Sequence, residues 1–171
     1  HRDLHKEYRR QRQMCIRDRR TSLSTKENTV ITKQAHDYLS SLLKKLNYVG
    51  VLALELFVKD DMVIANEYAP RVHNSGHWTI EGTDASQFEN HLRAIMDMKL
   101  GDTSVHGYAG MENLIGNIPA KIRDLNKEFF FHDYGKEERQ GRKLGHVSIV
   151  TSKEEDREIK LKEIQRIISQ T

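Results

Sequence analysis

The sequence has a single cysteine and no long apolar run, and each shortage excludes a class of protein. One cysteine cannot form an internal disulfide, which favours a reducing compartment such as the cytoplasm. No apolar segment approaches the roughly 20 residues that a membrane-spanning helix needs. No apolar segment of a secretory signal follows the N-terminal charges either, so we expect no membrane partner. The remaining composition, 37% hydrophobic and 31% charged over 171 residues, is typical of a globular protein of one domain or two small ones.

Positive charge is concentrated in the first 20 residues. Residues 1–20 hold eight of the 28 Lys and Arg, three of the 25 Asp and Glu, and the only cysteine. Residues 21–171 keep 20 basic and 22 acidic residues, so we expect no nucleic-acid partner for this mildly acidic body. Residues 1–20 show no sustained helical period. A basic arm for nucleic acid or an anionic membrane is one interpretation, and a disordered or non-native leader is the one that we favour.

The body opens with a helix and a β-hairpin. Apolar residues at helical spacing predict an amphipathic helix over Lys33–Asn47. The β-rich run Tyr48–Val58 predicts a strand that is buried on both faces, and Met62–Glu67 predicts a second strand after a short polar turn. Two strands joined by such a turn form an antiparallel hairpin.

Helices and strands alternate in the rest of the chain. Asp84, with Gln87 three residues later, resembles a capping box and predicts a helix through Met98. The predicted inner face of this helix consists of Phe88, Leu92, Ile95 and Met96. Further strands are predicted at 108–118, 129–132 and 144–151, and a last helix over Lys153–Gln170 with Ile159 partly inward. Because no β-α-β rhythm appears, we predict an α+β fold with a largely antiparallel sheet.

Glu55 lies within an otherwise apolar strand, where an unpaired carboxylate costs several kcal/mol to desolvate. If the hairpin loop centres on Asp61, Glu55 lies directly opposite Glu67 on one face. A Mg²⁺ ion between the two carboxylates would remove their repulsion, since this ion takes one or two carboxylates and completes its shell with phosphates. If the loop has two residues instead, Glu67 moves to the other face and the two acids are unrelated. Spacing alone leaves both alternatives open.

The segment after the second strand is dense in hydrogen-bonding side chains. It contains Arg71, two histidines at His73 and His77, and several amide and hydroxyl groups around one proline and one glycine. Such a loop offers a bidentate guanidinium for an anion together with donors and an imidazole. Zinc is disfavoured, because no third ligand is obvious and the segment is not helical in pattern. Ordinary loop histidines are the alternative.

The runs Tyr48–Val58, Asn66–Thr79 and Ser86–Ala94 closely resemble, in this order, the 5-(carboxyamino)imidazole ribonucleotide synthases, a family of ATP-grasp enzymes of purine biosynthesis. The most specific of them is Ala-Pro-Arg-Val-His-Asn-Ser-Gly-His-Trp-Thr at 69–79. Weaker pieces that resemble the C-terminal domain of the family are Asn113–Gly116, Tyr134–Glu137 and Gly141–His146.

The resemblance implies ATP-dependent carboxylation of 5-aminoimidazole ribonucleotide with bicarbonate. In that reaction ATP converts bicarbonate to carboxyphosphate, and the carboxyl group passes to the exocyclic amine of the substrate, with release of ADP and phosphate. Glu55 and Glu67 match the acids of the family that bind Mg²⁺, and Asn66 and Glu67 match contacts to ATP. Positioning and electrostatics dominate such phosphoryl transfer.

The resemblance also implies roles for the loop and for two basic residues near the C-terminus. The loop residues that match positions for bicarbonate and the imidazole substrate are Arg71, His73 and Asn74 as catalytic residues and Ser75 as a substrate contact. Lys136 and Arg142 match basic positions for the ribose phosphate, which suits a lysine point charge and an arginine fork. A homodimer is implied for the complete protein.

We predict three segments from this comparison of patterns. Residues 1–20 form the leader, 21–103 form part of an ATP-grasp domain with its metal and substrate-loop half, and 104–171 form a small C-terminal domain. The first ATP-grasp subdomain of the family has no counterpart here, so we expect the chain to be a fragment that is inactive alone. The alternatives are another ATP-grasp carboxylase or ligase, or a non-catalytic folding or dimerisation module.

Overall fold

Two compact units divide the chain near residue 106 in a computed structural model that describes residues 21–24, 29–60 and 62–170. The first unit contains α1 (Thr29–Leu46), β2 (Ala53–Lys59), β3 (Met62–Ala69), a 3₁₀ turn (Asn74–Gly76), α2 (Thr79–Gly82) and α3 (Gln87–Ile95). The second contains β1 (Thr21–Leu23), β4 (Tyr108–Ile115), α4 (Ala120–Arg123), β5 (Phe130–Asp133), β6 (Lys143–Thr151) and α5 (Glu154–Ser169). The predicted leader and Asp61, the predicted centre of the hairpin loop, lie outside the described residues. The segment limits at 20 and 103 stay predictions.

The first unit is built on the hairpin, with α1 packed over one face. Val63 is buried beneath the helix, and its backbone N–H donates to Gln34 Oε1 at 3.3 Å. The hairpin is confirmed, but the first strand begins only at Ala53 and is not buried on both faces. Phe57 and Val58 are 60% and 56% exposed, because both lie beside the turn of a sheet that has only two strands.

The segment before β2 is held out of the ladder by α3. The Val51 N–H donates to His91 Nδ1 at 3.0 Å, and Gly50 has a φ of 125°, which favours glycine. A Cβ at Gly50 would lie 2.8 Å from the same imidazole nitrogen. The predicted strand therefore loses its first five residues to a contact that the apolar pattern does not reveal.

The start of α3 and its inner face differ from the prediction. Ser86, not Asp84, caps the helix, and its hydroxyl accepts from the Glu89 N–H at 3.2 Å, as in a Ser-x-x-Glu capping box. The helix is shorter than predicted and ends at Ile95. Three predicted inner residues are more than half exposed, namely Leu92, Ile95 and Met96. Asn90 is buried in their place, because its amide bonds both backbone groups of Gly101 and folds the following segment onto the polar side of the helix.

The second unit is a four-stranded antiparallel sheet in the order β1–β4–β6–β5, with α5 packed on one face. The predicted α+β class is confirmed. The core consists of Leu114, Ile122, Phe129, Val147, Ile149, Leu161 and Ile164. Gly110 lets α5 approach β4, since a Cβ there would lie 3.1 Å from Leu161. No helix among the described residues is long and apolar enough to cross a membrane.

The last helix offers a matched pair of isoleucines. Ile164 is fully buried, whereas Ile159 is 64% exposed, contrary to the prediction that it faces inward. Ile164→Ala should lower the free energy of unfolding by about 2–5 kcal/mol through lost burial and a cavity. Ile159→Ala makes the same chemical change at the surface and should have little effect. Urea unfolding followed by circular dichroism measures both, and equal losses would contradict the packing of α5.

Candidate active site

Glu55 and Glu67 are directly opposed on neighbouring antiparallel strands, as predicted. The route to this pairing is not the predicted one. Lys59 pairs with Met62, so the loop has two residues, and this register continues to the Leu56–Ala65 pair. Asn66 is then an extra residue, a β-bulge that advances β3 by one position and returns Glu67 to the face of Glu55. The hairpin therefore has the two-residue loop of the second alternative, and the bulge restores the paired carboxylates that the first alternative predicted.

Beside the carboxylates, the same face of the hairpin is apolar and open. Phe57 and Ile64 are opposed two pairs further along the ladder, and they are 60% and 49% exposed. The side chain of Glu55 is only 13% exposed, whereas Glu67 is exposed. The bulge residue contributes to the site as well, since Asn66 Nδ2 donates to Glu55 Oε2 at 3.3 Å. The face therefore joins two acids to an apolar surface.

His73 connects the loop to this face. Its Nε2 lies 3.2 Å from Glu55 Oε1, and its own side chain is 12% exposed. The Ser75 N–H donates to His73 Nδ1 at 3.3 Å, and Ser75 Oγ lies 2.9 Å from the same nitrogen. Because a backbone N–H can only donate, Nδ1 is an acceptor and the ring proton is on Nε2. The imidazole is therefore neutral, and its protonated Nε2 lies 3.2 Å from Glu55 Oε1.

The remaining loop residues occupy one short stretch of chain. Asn74 and Ser75 lie in the 3₁₀ turn, which His73 caps. Arg71 is exposed, and its Nη1 donates to the Val72 carbonyl at 3.0 Å. The structure thus brings His73 and Ser75 together with Glu55, while the guanidinium of Arg71 remains accessible to solvent.

Lys136 and Arg142 belong to the other unit, on the connection between β5 and β6. Both are exposed, and Lys136 Nζ lies 5.0 Å from the ring centre of Tyr134. The Tyr134 hydroxyl lies 2.8 Å from Nδ1 of His146, which is 1% exposed. The Gly116 N–H donates to the Arg142 carbonyl at 2.9 Å. The connection is therefore tied at both ends to the sheet, and convergence of its two basic residues with Arg71 stays a prediction.

Four residues that the sequence reasoning missed hold these loops in place. Gln87 forms hydrogen bonds with the loop that follows β3, here called the substrate loop, and His91 bonds the segment before β2. Tyr134 and His146 anchor the connection between β5 and β6, here called the basic connection. Gln87 and His91 are four residues apart on α3, a spacing that places them on one helix face and could have drawn attention to them. Tyr134 and His146 are far apart in sequence and gave no such signal.

Comparison with known proteins gives a consistent assignment. The pattern of the ATP-grasp domain matches residues 9–88, and that of the phosphoribosylaminoimidazole carboxylase C-terminal domain matches residues 109–160. The N5-carboxyaminoimidazole ribonucleotide synthase of Pseudomonas aeruginosa is 44% identical over 135 residues, which are 78% of this chain and 38% of that protein.

Solved structures agree. The N5-carboxyaminoimidazole ribonucleotide synthetase of Thermus thermophilus superposes with a TM-score of 0.82 at 43% identity, over 88% of this chain and 42% of that one. The synthase of Aspergillus clavatus, solved with ADP and 5-aminoimidazole ribonucleotide, superposes with a TM-score of 0.77 at 27% identity, over 86% of this chain and 44% of that one. This chain thus spans about two-fifths of the length of these relatives.

Fold, site and comparisons together define a member of the ATP-grasp class. Within that class, the chain belongs to the family of N5-carboxyaminoimidazole ribonucleotide synthases. The resemblance read from the motifs is confirmed, whereas the roles of individual site residues stay predictions.

Asp133 anchors the basic connection and gives a test by pH. Its Oδ1 accepts from the Gly135 N–H at 2.9 Å, and its Oδ2 lies 3.0 Å from Arg123 Nη1. The Gly135 N–H and the Arg123 guanidinium hold the pKa of Asp133 below its usual value. Since the pKa is lower in the folded than in the unfolded state, this carboxylate stabilises the fold above the unfolded pKa of about 4. The stabilisation is lost as the pH falls through the folded pKa.

Asp133→Asn should therefore lower the free energy of unfolding at neutral pH, and the difference from wild type should disappear as the pH falls below about 4. Urea unfolding at a series of pH values measures this difference. Glu137→Gln, an exposed change on the same connection, controls for the loss of one negative charge. A difference that stays constant into the acid range would show that Asp133 acts through shape and not through its charge.

Proposed function

We propose that the protein to which this chain belongs carboxylates 5-aminoimidazole ribonucleotide with bicarbonate and ATP, and releases ADP and phosphate. The observation that carries the proposal is the pairing of Glu55 and Glu67 across the bulge, with the neutral His73 beside them. An ATP-grasp reaction needs oxygen ligands for a nucleotide-bound cation next to a group that holds the second reactant. The family membership of the chain supports the same reaction.

The paired carboxylates fit magnesium. Two like charges directly opposed across a sheet destabilise it unless a cation lies between them. Mg²⁺ takes one or two carboxylates and fills its other positions with water and phosphate oxygens. When bound, the ion supplies neutralisation of charge on the phosphates.

The hairpin face suits the rest of the nucleotide. Phe57 and Ile64 form an open apolar surface beside the acids, on which a flat base can lie. Asn66 adds an exposed amide at the bulge. The triphosphate can then lie near Glu55 and Glu67 while the base contacts the apolar pair.

The loop provides the groups for bicarbonate and for the imidazole. The exposed guanidinium of Arg71 can bind a planar anion through two parallel hydrogen bonds. His73 is oriented by Glu55 on one side and by Ser75 on the other, so its position is fixed before a ligand arrives. Asn74 lies in the same turn. Such preorganised donors favour carboxyphosphate, in which negative charge is concentrated on few oxygens.

The chemistry balances as follows. A bicarbonate oxygen attacks the γ-phosphorus of ATP and ADP leaves, giving carboxyphosphate. The exocyclic amine nitrogen then attacks the carboxyl carbon, phosphate leaves, and the nitrogen loses one proton. The protein residues bind and orient these reactants and exclude water, which would otherwise hydrolyse the mixed anhydride.

Lys136 and Arg142 are assigned to the ribose phosphate. Their exposure keeps both charges available, and the tethers at Tyr134 and Gly116 limit how far the connection can move. A cytoplasmic location is part of the proposal, since ATP and the ribonucleotide are made inside cells. The homodimer that the family resemblance implies is part of it as well.

Replacing one acid tests the proposed role of the hairpin. Glu67→Gln keeps the shape of the side chain and removes one metal ligand, so Mg²⁺-dependent ADP formation in the complete protein should fall by about 10²–10³. A coupled ADP assay with ATP, bicarbonate and 5-aminoimidazole ribonucleotide measures this. Glu163→Gln removes an exposed charge on α5 and should leave the rate unchanged. Full activity of the Glu67→Gln protein would exclude Glu67 as a metal ligand.

Replacing Lys136 or Arg142 in the basic connection should change the KM for one substrate, in contrast to the loss of rate expected for Glu67→Gln. Lys136→Ala and Arg142→Ala should each raise the KM for the ribonucleotide while leaving the KM for ATP near its wild-type value, because both residues are assigned to the 5′-monophosphate of the ribonucleotide and neither is assigned to ATP. The matched control is Lys121→Ala on α4, which removes an exposed positive charge of the same unit. Should both variants keep the KM for the ribonucleotide, the phosphate lies elsewhere.

A further inference from the structure

The side chain of Gln87, the first residue of α3, is inserted into the substrate loop. Its Oε1 accepts from the His73 N–H at 2.9 Å, and its Nε2 donates to the His73 carbonyl at 2.8 Å. The same Nε2 lies 2.8 Å from His77 Nδ1. One amide therefore bonds both backbone groups of His73 and the ring of His77.

These partners fix the orientation of the amide. A backbone N–H can only donate and a backbone carbonyl can only accept, so the oxygen of Gln87 must face the former and its NH₂ the latter. The second hydrogen of that NH₂ points to His77 Nδ1, which must then be an acceptor. His77 is therefore neutral, with its proton on Nε2, and the amide of Gln87 selects this tautomer.

The backbone of Gln87 is bonded to the C-terminal part of the same loop. Its N–H donates to Thr79 Oγ1 at 3.0 Å, and that hydroxyl donates to the Gly76 carbonyl at 2.6 Å. Gly76 leaves the room that the amide occupies, since a Cβ there would lie 2.8 Å from Gln87 Oε1. The loop from His73 to Thr79 is thus held against α3 at several points by one residue.

We propose that Gln87 is a positioning residue of the active site, which fixes the backbone of His73 and the tautomer of His77. The proposal rests on the proposed function, because His73 acts on substrate only there. By fixing the backbone of His73, Gln87 fixes the position of the His73 imidazole relative to Glu55. It also fixes the position from which the Arg71 side chain can reach an anion. A displacement of about 1 Å in such a group can lower a rate about 10²-fold without loss of the fold.

Two substitutions in the complete protein test the proposal. Gln87→Leu removes all three side-chain contacts at similar size. Gln87→Glu keeps the acceptor for the His73 N–H but places a carboxylate oxygen against the His73 carbonyl. We expect kcat/KM for 5-aminoimidazole ribonucleotide to fall about 10²-fold in the leucine variant, with the KM for ATP unchanged. Glu89→Gln changes an exposed side chain in the first turn of the same helix, where its carboxylate pairs with Arg93, and should leave both values unchanged.

A second measurement does not depend on the reaction. In ¹⁵N-histidine-labelled protein, the His77 ring signals, assigned with His77→Gln, should report a single tautomer protonated on Nε2. Gln87→Leu should convert them to a mixture of tautomers, and Glu89→Gln should not. Thermal unfolding of each variant shows whether it is folded, and Gln87→Glu takes the place of the leucine variant if the latter does not fold.

The two measurements separate the possible failures. If the protein does not act on the ribonucleotide but the His77 tautomer changes in Gln87→Leu, the proposed function fails and the structural role of Gln87 stands. If the protein is active and Gln87→Leu changes neither the tautomer nor kcat/KM, Gln87 is not a positioning residue. An equal rise in the KM for ATP would also overturn the proposal, because it would place the effect on the whole unit.

Discussion

Two negative charges directly opposed across a two-stranded sheet are the constraint on which the rest of the first unit depends. Opposed like charges destabilise a hairpin, and a slip of one residue would separate them by moving Glu67 to the other face. Val63 is buried beneath α1 and prevents such a slip near the turn, because the slip would move this valine from the buried face of the hairpin to the exposed one. The bulge at Asn66 then sets the second register beyond it. Packing on the opposite side of the sheet therefore fixes the register that keeps the two carboxylates opposed, despite their repulsion.

His73 reduces the cost at Glu55 without a formal charge. Its protonated Nε2 lies 3.2 Å from Oε1 of the partly buried carboxylate, and Asn66 donates to Oε2. Glu67 remains exposed to water, so the pair is divided into a carboxylate held by the protein and a solvated one. This asymmetry would leave the exposed Glu67 able to turn toward the proposed cation, while Glu55 is held between Asn66 and His73. The short helix α3 fixes both segments that flank the carboxylates: Gln87 bonds the loop at His73, and His91 bonds the chain that leads into β2.

The sequence predicted the elements better than their contacts. Alternation and helical spacing revealed the hairpin, α1, the main strands of the second unit and the last helix, since these patterns reflect which face is buried. The pairing of Glu55 with Glu67 was also predicted, but from a loop centred on Asp61, whereas a two-residue loop and a bulge produce it together. Nothing local in Ala65-Asn66-Glu67 marks a bulge. The exposed apolar stripe of α3 misled for a related reason, because periodicity shows that a face is apolar and cannot show what covers it.

Charge explains why the proposed reactants would bind in a preferred order. ATP, bicarbonate and the ribonucleotide are all anions, and residues 21–171 have more acidic than basic side chains. A free triphosphate would therefore be repelled by the Glu55–Glu67 pair, and that repulsion becomes attraction only when the nucleotide carries Mg²⁺. With the acids neutralised in this way, the exposed Arg71 would attract bicarbonate to the loop that contains His73. In the proposed function, the unfavourable pair of carboxylates would make the cation a condition for binding the anions, and would link recognition of the metal–nucleotide complex to the arrival of the second substrate.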